Sequence, residues 1–117
     1  MERKIPEDLK NQFIEILNLK QFQKSHAEIL KFSFQNMISA KVKSSAIENL
    51  KKSTGLDGKI FNVTINVIAM LIAEVLSNNY HYLEAKQLLT DWDISEKIAK
   101  EFGDNYKSLK EYIDSED

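Results

Sequence analysis

One stretch of this chain constrains its fold more than any other. Residues Ile60 to Leu76 are almost all apolar, and they include no glycine or proline. The stretch is far longer than a typical strand of about 5–6 residues, so it predicts a helix, running from about Asp57 to Asn78. A membrane span needs about 20 mostly apolar residues, whereas this stretch carries Asn62, Asn66 and Glu74. We therefore expect a core helix that other helices enclose on every side, with Ile68 and Ile72 nearly inaccessible to solvent.

The apolar residues before this stretch recur at helical spacing, and polar residues mark where helices begin. Pro6 suits the first position of a helix, and the two acidic residues after it favour the positive end of the helix dipole. Ser25 and Ser45 are each followed three residues later by glutamate, the capping-box pattern of a helix start. Gly55 predicts the end of the third helix.

Two further helices are predicted after the core helix. One runs from about Tyr80 to Thr90, and the other begins after Asp93, with Ser95 and Glu96 near its first turn. Three glycines and one proline are too few for the many turns of a β-sandwich or barrel. We predict one all-α domain over residues 1–117, a compact orthogonal bundle of about six helices around the long apolar helix.

Composition excludes several classes of site. The absence of cysteine rules out disulfide scaffolds, Cys-ligated zinc and Cys nucleophiles, and a net charge of −2 argues against a general nucleic-acid binder. His26 and His81 have no cluster of metal-ligating neighbours, so we expect surface or capping histidines. Asp91, Asp93 and Glu96 lie close together in sequence, but capping of the last helix explains them. We expect no catalytic, cofactor-binding or metal-binding residue, and no enzyme activity.

A candidate partner surface lies around the short third helix. Four cations surround that helix, with only Glu48 opposing them: Lys41, Lys43, Lys51 and Lys52. Such a patch can contact phosphates, anionic lipid or an acidic partner, although a solvated helix face has the same composition. Tyr80 and Tyr82 join this candidate surface because they stand at a helix junction, where exposed aromatic residues often anchor interfaces.

Residues 44–113 resemble the N-terminal helical domain of COMM domain-containing (COMMD) proteins. A short helix precedes a long apolar one, and the next helix ends at a turn where the family commonly has Leu-x-x-Leu-Gly-Leu. The segments that carry the resemblance are Ala46-Ile47-Glu48-Asn49-Leu50, Val67 to Leu76, Leu89-Thr90-Asp91-Trp92-Asp93-Ile94, Ser95-Glu96-Lys97, and Phe102, Asp104-Asn105, Leu109 and Lys110. Trp92 replaces the usual leucine and Asp93 the usual glycine; aspartate tolerates a left-handed turn better than most residues.

The resemblance implies a scaffold rather than an enzyme. COMMD proteins assemble through a C-terminal COMM domain, which is absent here, so we expect a truncated chain or a separate domain. The family forms a hetero-oligomeric assembly (Commander) with coiled-coil scaffold subunits, which acts in endosomal cargo recycling, and it is linked to NF-κB and cullin ubiquitin-ligase regulation. The implied partners are other COMMD-family subunits and the coiled-coil subunits, without nucleic acid, membrane insertion or cofactor.

The resemblance also implies a cytoplasmic protein associated with endosomes, with the nucleus as an alternative location. We expect the isolated domain to be a monomer, because the few residues left for an apolar patch are Phe32, Tyr80, Tyr82 and Tyr112. The alternative function is a small helical nucleic-acid-binding regulator that uses the patch from Lys41 to Lys52.

Overall fold

The computed structural model describes residues 5–38, 44–56 and 58–115, and it places six helices in these ranges. The all-α architecture predicted from the sequence is confirmed. The helices, in chain order, are α1 (Glu7–Leu17), α2 (Lys20–Ile38), α3 (Ser44–Thr54), α4 (Gly58–Ser77), α5 (Tyr82–Asp91) and α6 (Glu96–Ser115).

The boundary between α1 and α2 differs from the prediction. Pro6 precedes α1 as its N-cap, and α2 begins at Lys20, five residues before the expected capping box. Ser25 keeps non-helical backbone angles inside α2 (φ −127°, ψ 26°), so the predicted start is a kink. Phe22 is fully buried in the first part of α2. Burial of this aromatic ring stabilises a helical turn that lies before the capping signal.

The turns after α3 and α5 follow the sequence signals. Gly55 adopts a left-handed conformation (φ 73°) just after α3, as a glycine at this position usually does. Asp93 also has a positive φ, 61°. It stands at the position where the family that residues 44–113 resemble usually has glycine. Ser95 precedes α6, and its Oγ accepts a hydrogen bond of 3.4 Å from the Ile98 amide. The expected capping of the last helix by Asp93 is wrong, because Asp93 forms the turn and Ser95 caps α6.

The long apolar helix α4 packs against α1 and α2. Ile68 and Ile72 are both fully buried, as predicted, and Val75 lies with them in the core. The expectation that other helices enclose α4 on every side is wrong, because one face of the helix is exposed. Val63 and Met70 lie on this face with 52% and 53% of their surface exposed.

Of the helices that the structure describes, only α4 is long and apolar enough to span a membrane. In its most apolar window of 18 residues, with a mean hydropathy of 1.9, 44% of the residues are buried inside the protein. A buried core helix and a membrane span share this length and composition. The tertiary packing of α4 fits the core-helix interpretation.

Aromatic side chains join α6 to the first two helices. Phe102 is fully buried on α6 and makes edge-on contacts with Phe13 of α1 and Phe34 of α2, at ring-centroid distances of 6.4 and 5.1 Å. Its ring also stacks on Tyr106, one turn later, at 6.4 Å. Such pairs add a favourable geometry to the burial of large apolar surfaces, so they hold α6 against α1 and α2.

The close approach of α5 and α6 depends on Gly103. A Cβ atom at this position would lie 3.2 Å from the Lys86 Cβ and 3.5 Å from the Tyr82 carbonyl oxygen. The glycine that interrupts the helical pattern of α6 therefore lies where the neighbouring helix leaves no space. A side chain at this position has to push α5 outward.

We expect Gly103→Leu to lower the free energy of unfolding by about 1–3 kcal/mol, because the added side chain meets the backbone of α5. Ser108→Leu, an exposed site on the same helix, is the matched control and should change stability by about 0.5 kcal/mol or less. Urea unfolding followed by circular dichroism compares the two variants. Equal stabilities for both would contradict the close contact at Gly103.

Candidate functional site

The lysine patch lies only in part within the described residues. Lys41 and Lys43 fall outside them, whereas Lys51 and Lys52 lie in the last turn of α3. The ammonium nitrogen of Lys51 lies 3.8 Å from a Glu48 carboxylate oxygen and 5.4 Å from the centre of the Phe61 ring. Lys51 thus covers an aromatic ring of α4, and both lysines are favourable at the negative end of the helix dipole.

The two tyrosines of the candidate surface differ in burial. Tyr80 is only 7% exposed, so the expectation of an exposed ring at this junction is wrong. Tyr82 is half-buried, with the His81 ring 4.5 Å away and the Lys107 ammonium nitrogen 5.0 Å from its ring centre. The lysines lie on α3, which packs on α2, whereas Tyr82 lies on α5, which packs on α6. The lysines and Tyr82 therefore lie on different parts of the bundle.

A different surface, on α4, has the properties of an interface. Six exposed positions of this helix are separated by alternating steps of four and three residues: Lys59, Val63, Asn66, Met70, Ala73 and Ser77. We call this row the α4 seam. It lies opposite the buried face of α4 and carries the exposed side chains of Val63 and Met70. The sequence analysis did not predict that this row is exposed, because Val63 and Met70 are as apolar as the core residues beside them.

An apolar groove borders the N-terminal half of the α4 seam. Its volume is about 250 Å³, and α4 forms one wall while the end of α1 forms the other. Ile60, which is 40% exposed, lies on the α4 side, and Leu19 lies beyond the end of α1. Glu15 and Lys59, both exposed, add one charge of each sign to the lining. This groove is smaller than a typical small-molecule site of about 300–1,000 Å³.

The lining of the groove includes a polar group without a partner. Thr64 is fully buried, and its hydroxyl has no hydrogen-bond partner among the residues that the structure describes. A buried hydroxyl without a hydrogen bond costs about 1–3 kcal/mol, and it is an uncommon feature in a folded protein. The groove therefore combines apolar walls with one unsatisfied polar group.

A second cleft, of about 380 Å³, lies between the first two helices and the turn before α6. Its lining includes Trp92 and His26, and the Nδ1 atom of His26 pairs with a Glu101 carboxylate oxygen. This contact joins α2 to α6 across 75 residues of sequence. The expectation of a surface or capping role is wrong for His26. It is confirmed for His81, which accepts a hydrogen bond from the Leu83 amide at the start of α5.

The acidic residues near the last turn have structural roles. Asp91 accepts a hydrogen bond of 2.8 Å from the Gln87 side chain, and Asp93 occupies the left-handed turn position. Within residues 5–38, 44–56 and 58–115, no group of three or more His, Cys, Asp or Glu side chains is placed to hold a metal ion. The α4 seam and its groove therefore remain the best candidate for a functional surface.

Comparison with known proteins adds no relative. No family model, no curated protein and no solved structure matches this chain.

Proposed function

We propose that this domain is a non-enzymatic protein–protein interaction module. The observation that supports the proposal is the exposed apolar face of α4, where Ile60, Val63 and Met70 lie 40%, 52% and 53% exposed beside an apolar groove. Scattered exposed apolar residues are normal, but a row of them along one helix and next to a groove is typical of a binding surface.

We also propose a scaffold role of the kind that the COMMD resemblance implies. The partners would then be COMMD-family subunits and coiled-coil scaffold subunits of the endosomal cargo-recycling assembly, in the cytoplasm or on endosomes. The links to NF-κB and to cullin ubiquitin ligases belong to the same proposal. Its support is the order of a short helix, a long apolar helix and two closing helices over residues 44–113.

Affinity purification of the tagged chain from cells, with quantitative mass spectrometry, tests the scaffold role. We expect enrichment of COMMD-family and coiled-coil scaffold subunits, and a loss of that enrichment for Val63→Glu if the exposed face of α4 carries the interaction. Retention by Leu83→Glu, which alters an exposed leucine of α5, is the control. Specific partners unrelated to this assembly would contradict the scaffold role and leave a general interaction module.

The alternative is a nucleic-acid-binding regulator that uses the patch from Lys41 to Lys52. Phosphate contacts release counterions, so such binding weakens steeply as salt rises. We expect no binding of duplex or single-stranded oligonucleotides at about 0.15 M salt, measured by fluorescence anisotropy. A micromolar affinity that falls with salt, and that Lys51→Glu with Lys52→Glu abolishes, would favour the alternative instead.

A further inference from the structure

The spacing of the α4 seam matches the contact row of a helix that packs along another helix. Steps of four and three residues place successive side chains on one side, as the a and d positions of a coiled coil do. From Lys59 to Ser77 the row extends about 27 Å at 1.5 Å per residue. A surface that is long, narrow and straight fits a rod-shaped occupant, and an α-helix is such a rod.

The side chains change size along the seam. Val63, with Ile60 at the groove, is large and lies in the N-terminal half, and Met70 is large and lies just past the middle, whereas Ala73 and Ser77 are small and lie toward the C-terminal end. A helix packed here would insert its apolar side chains beside the groove. The small residues would let it approach the backbone of α4 more closely at the other end.

The size of the surface decides between possible occupants. Three half-exposed aliphatic side chains offer much less than the roughly 800 Å² that each partner of a stable dimer buries, so a second copy of this chain is disfavoured. The groove volume of about 250 Å³ suits inserted side chains better than a drug-sized ligand. Glu15 and Lys59 at the groove complement a helix that carries one basic and one acidic residue.

We propose that the α4 seam and its groove bind one amphipathic helix of a partner protein. This inference rests on the proposed interaction function and names its site and the chemistry of its partner. The bound helix presents aliphatic residues at i, i+3 or i+4, and i+7, a carboxylate near Lys59 and a cation near Glu15.

Methionine methyl groups give a direct test of this site. The chain has three methionines, of which Met70 lies on the seam and Met37 on α2. The probe is a designed four-heptad helical peptide with leucine along one face and the matching charged pair. In protein labelled with carbon-13 at the methionine methyls, we expect the Met70 resonance to shift saturably while Met37 stays unchanged. A peptide of the same composition with its leucines spread around the helix is the control.

Matched variants locate the binding. Val63→Glu and Met70→Glu should each weaken the peptide at least tenfold, because both place a charge in the apolar contact. Leu83→Glu, on the equally exposed leucine of α5, should leave the affinity within twofold. Val63→Thr, which keeps the shape of valine, serves as a milder variant and should weaken binding by a smaller factor. Circular dichroism confirms that each variant stays folded.

Three results would overturn the proposal. One is an equal loss of affinity for Leu83→Glu and Val63→Glu, and another is unchanged affinity in both seam variants. The third is a dimer mass in sedimentation equilibrium that Val63→Glu abolishes, since a second copy would then occupy the seam. A monomer mass together with the Met70 shift supports a heterologous helix.

Photo-crosslinking distinguishes two outcomes: that the α4 seam is not the binding site, and that the domain does not bind partner proteins at all. A photoreactive residue is placed at position 63, 52 or 83 of the full chain in cells. Partner cross-links from position 63 that Met70→Glu abolishes support the site. Cross-links from position 52 or 83 alone overturn the site and leave an interaction module. No partner cross-link from any position overturns both.

Discussion

Ile72→Ala is expected to lower the free energy of unfolding by about 2–5 kcal/mol. Ile72 is fully buried at the centre of α4, so the substitution removes apolar contacts and leaves a cavity that the surrounding helices fill only in part. Domains of this size are typically stable by about 5–15 kcal/mol, so this change approaches the total stability. Urea unfolding monitored by circular dichroism gives the difference.

The same helix provides the control for this prediction. Met70→Ala removes a side chain of similar size from a position that is 53% exposed, and we expect a loss below about 1 kcal/mol. If Ile72→Ala does not fold, Ile72→Val gives a milder measurement, with an expected loss of about 0.5–1.5 kcal/mol. Similar losses for the alanine variants at positions 70 and 72 would mean that the exposed and buried faces of α4 are assigned wrongly.

The second large effect is expected at Tyr106, at alkaline pH. Its hydroxyl is buried and donates a hydrogen bond of 2.7 Å to the Tyr80 carbonyl oxygen, and it lies 3.4 Å from the Val75 carbonyl oxygen. Burial removes water from the phenol and disfavours the phenolate, which raises the pKa of Tyr106 from 10.0 to about 12. The neutral tyrosine therefore links the turn after α4 to α6.

The sign of the pH dependence follows from this raised pKa. Below about pH 10 the phenol is protonated in both the folded and the unfolded chain, so its titration does not change stability. Between pH 10 and about 12 the unfolded chain releases the proton and the folded one keeps it. The free energy of unfolding should therefore fall by roughly 2–3 kcal/mol over this window through Tyr106 alone.

Tyr106→Phe tests this effect against the other groups that titrate at high pH. At pH 7 we expect a loss of about 1–3 kcal/mol, because the variant lacks the buried hydrogen bond to the Tyr80 carbonyl oxygen. Between pH 10 and 12 the stability of the variant should fall less steeply than that of the parent protein. Tyr112→Phe, at an exposed site on the same helix, is the control and should keep the steep fall. Parallel curves for all three proteins would contradict the buried phenol.

Local signals predicted much of the fold. The length and composition of the apolar stretch indicated α4, and its buried residues Ile68 and Ile72 were predicted correctly. Gly55 and Asp93 marked turns that have positive φ angles in the structure. These features depend on residues close in sequence, where backbone sterics and helix periodicity act without any tertiary contact.

The candidate site could be predicted only in part. The sequence grouped Lys51 and Lys52 with Tyr80 and Tyr82, but the lysines lie on a different part of the bundle from Tyr82, and Tyr80 is buried. The pairing of His26 with Glu101 joins residues 75 positions apart, and no local pattern indicates such a contact. The start of α2 was misplaced because burial of Phe22 outweighed the capping signal at Ser25.

The sequence by itself determined the helical class, the long apolar helix and the turns, because these follow from side-chain periodicity and from the conformations that glycine and aspartate tolerate. Only the tertiary structure decided which apolar residues of α4 meet solvent. Val63, Met70, Ile68 and Ile72 are all apolar, so their hydrophobicity does not show which of them are buried. The packing of α1 and α2 against one side decides this and leaves the α4 seam exposed.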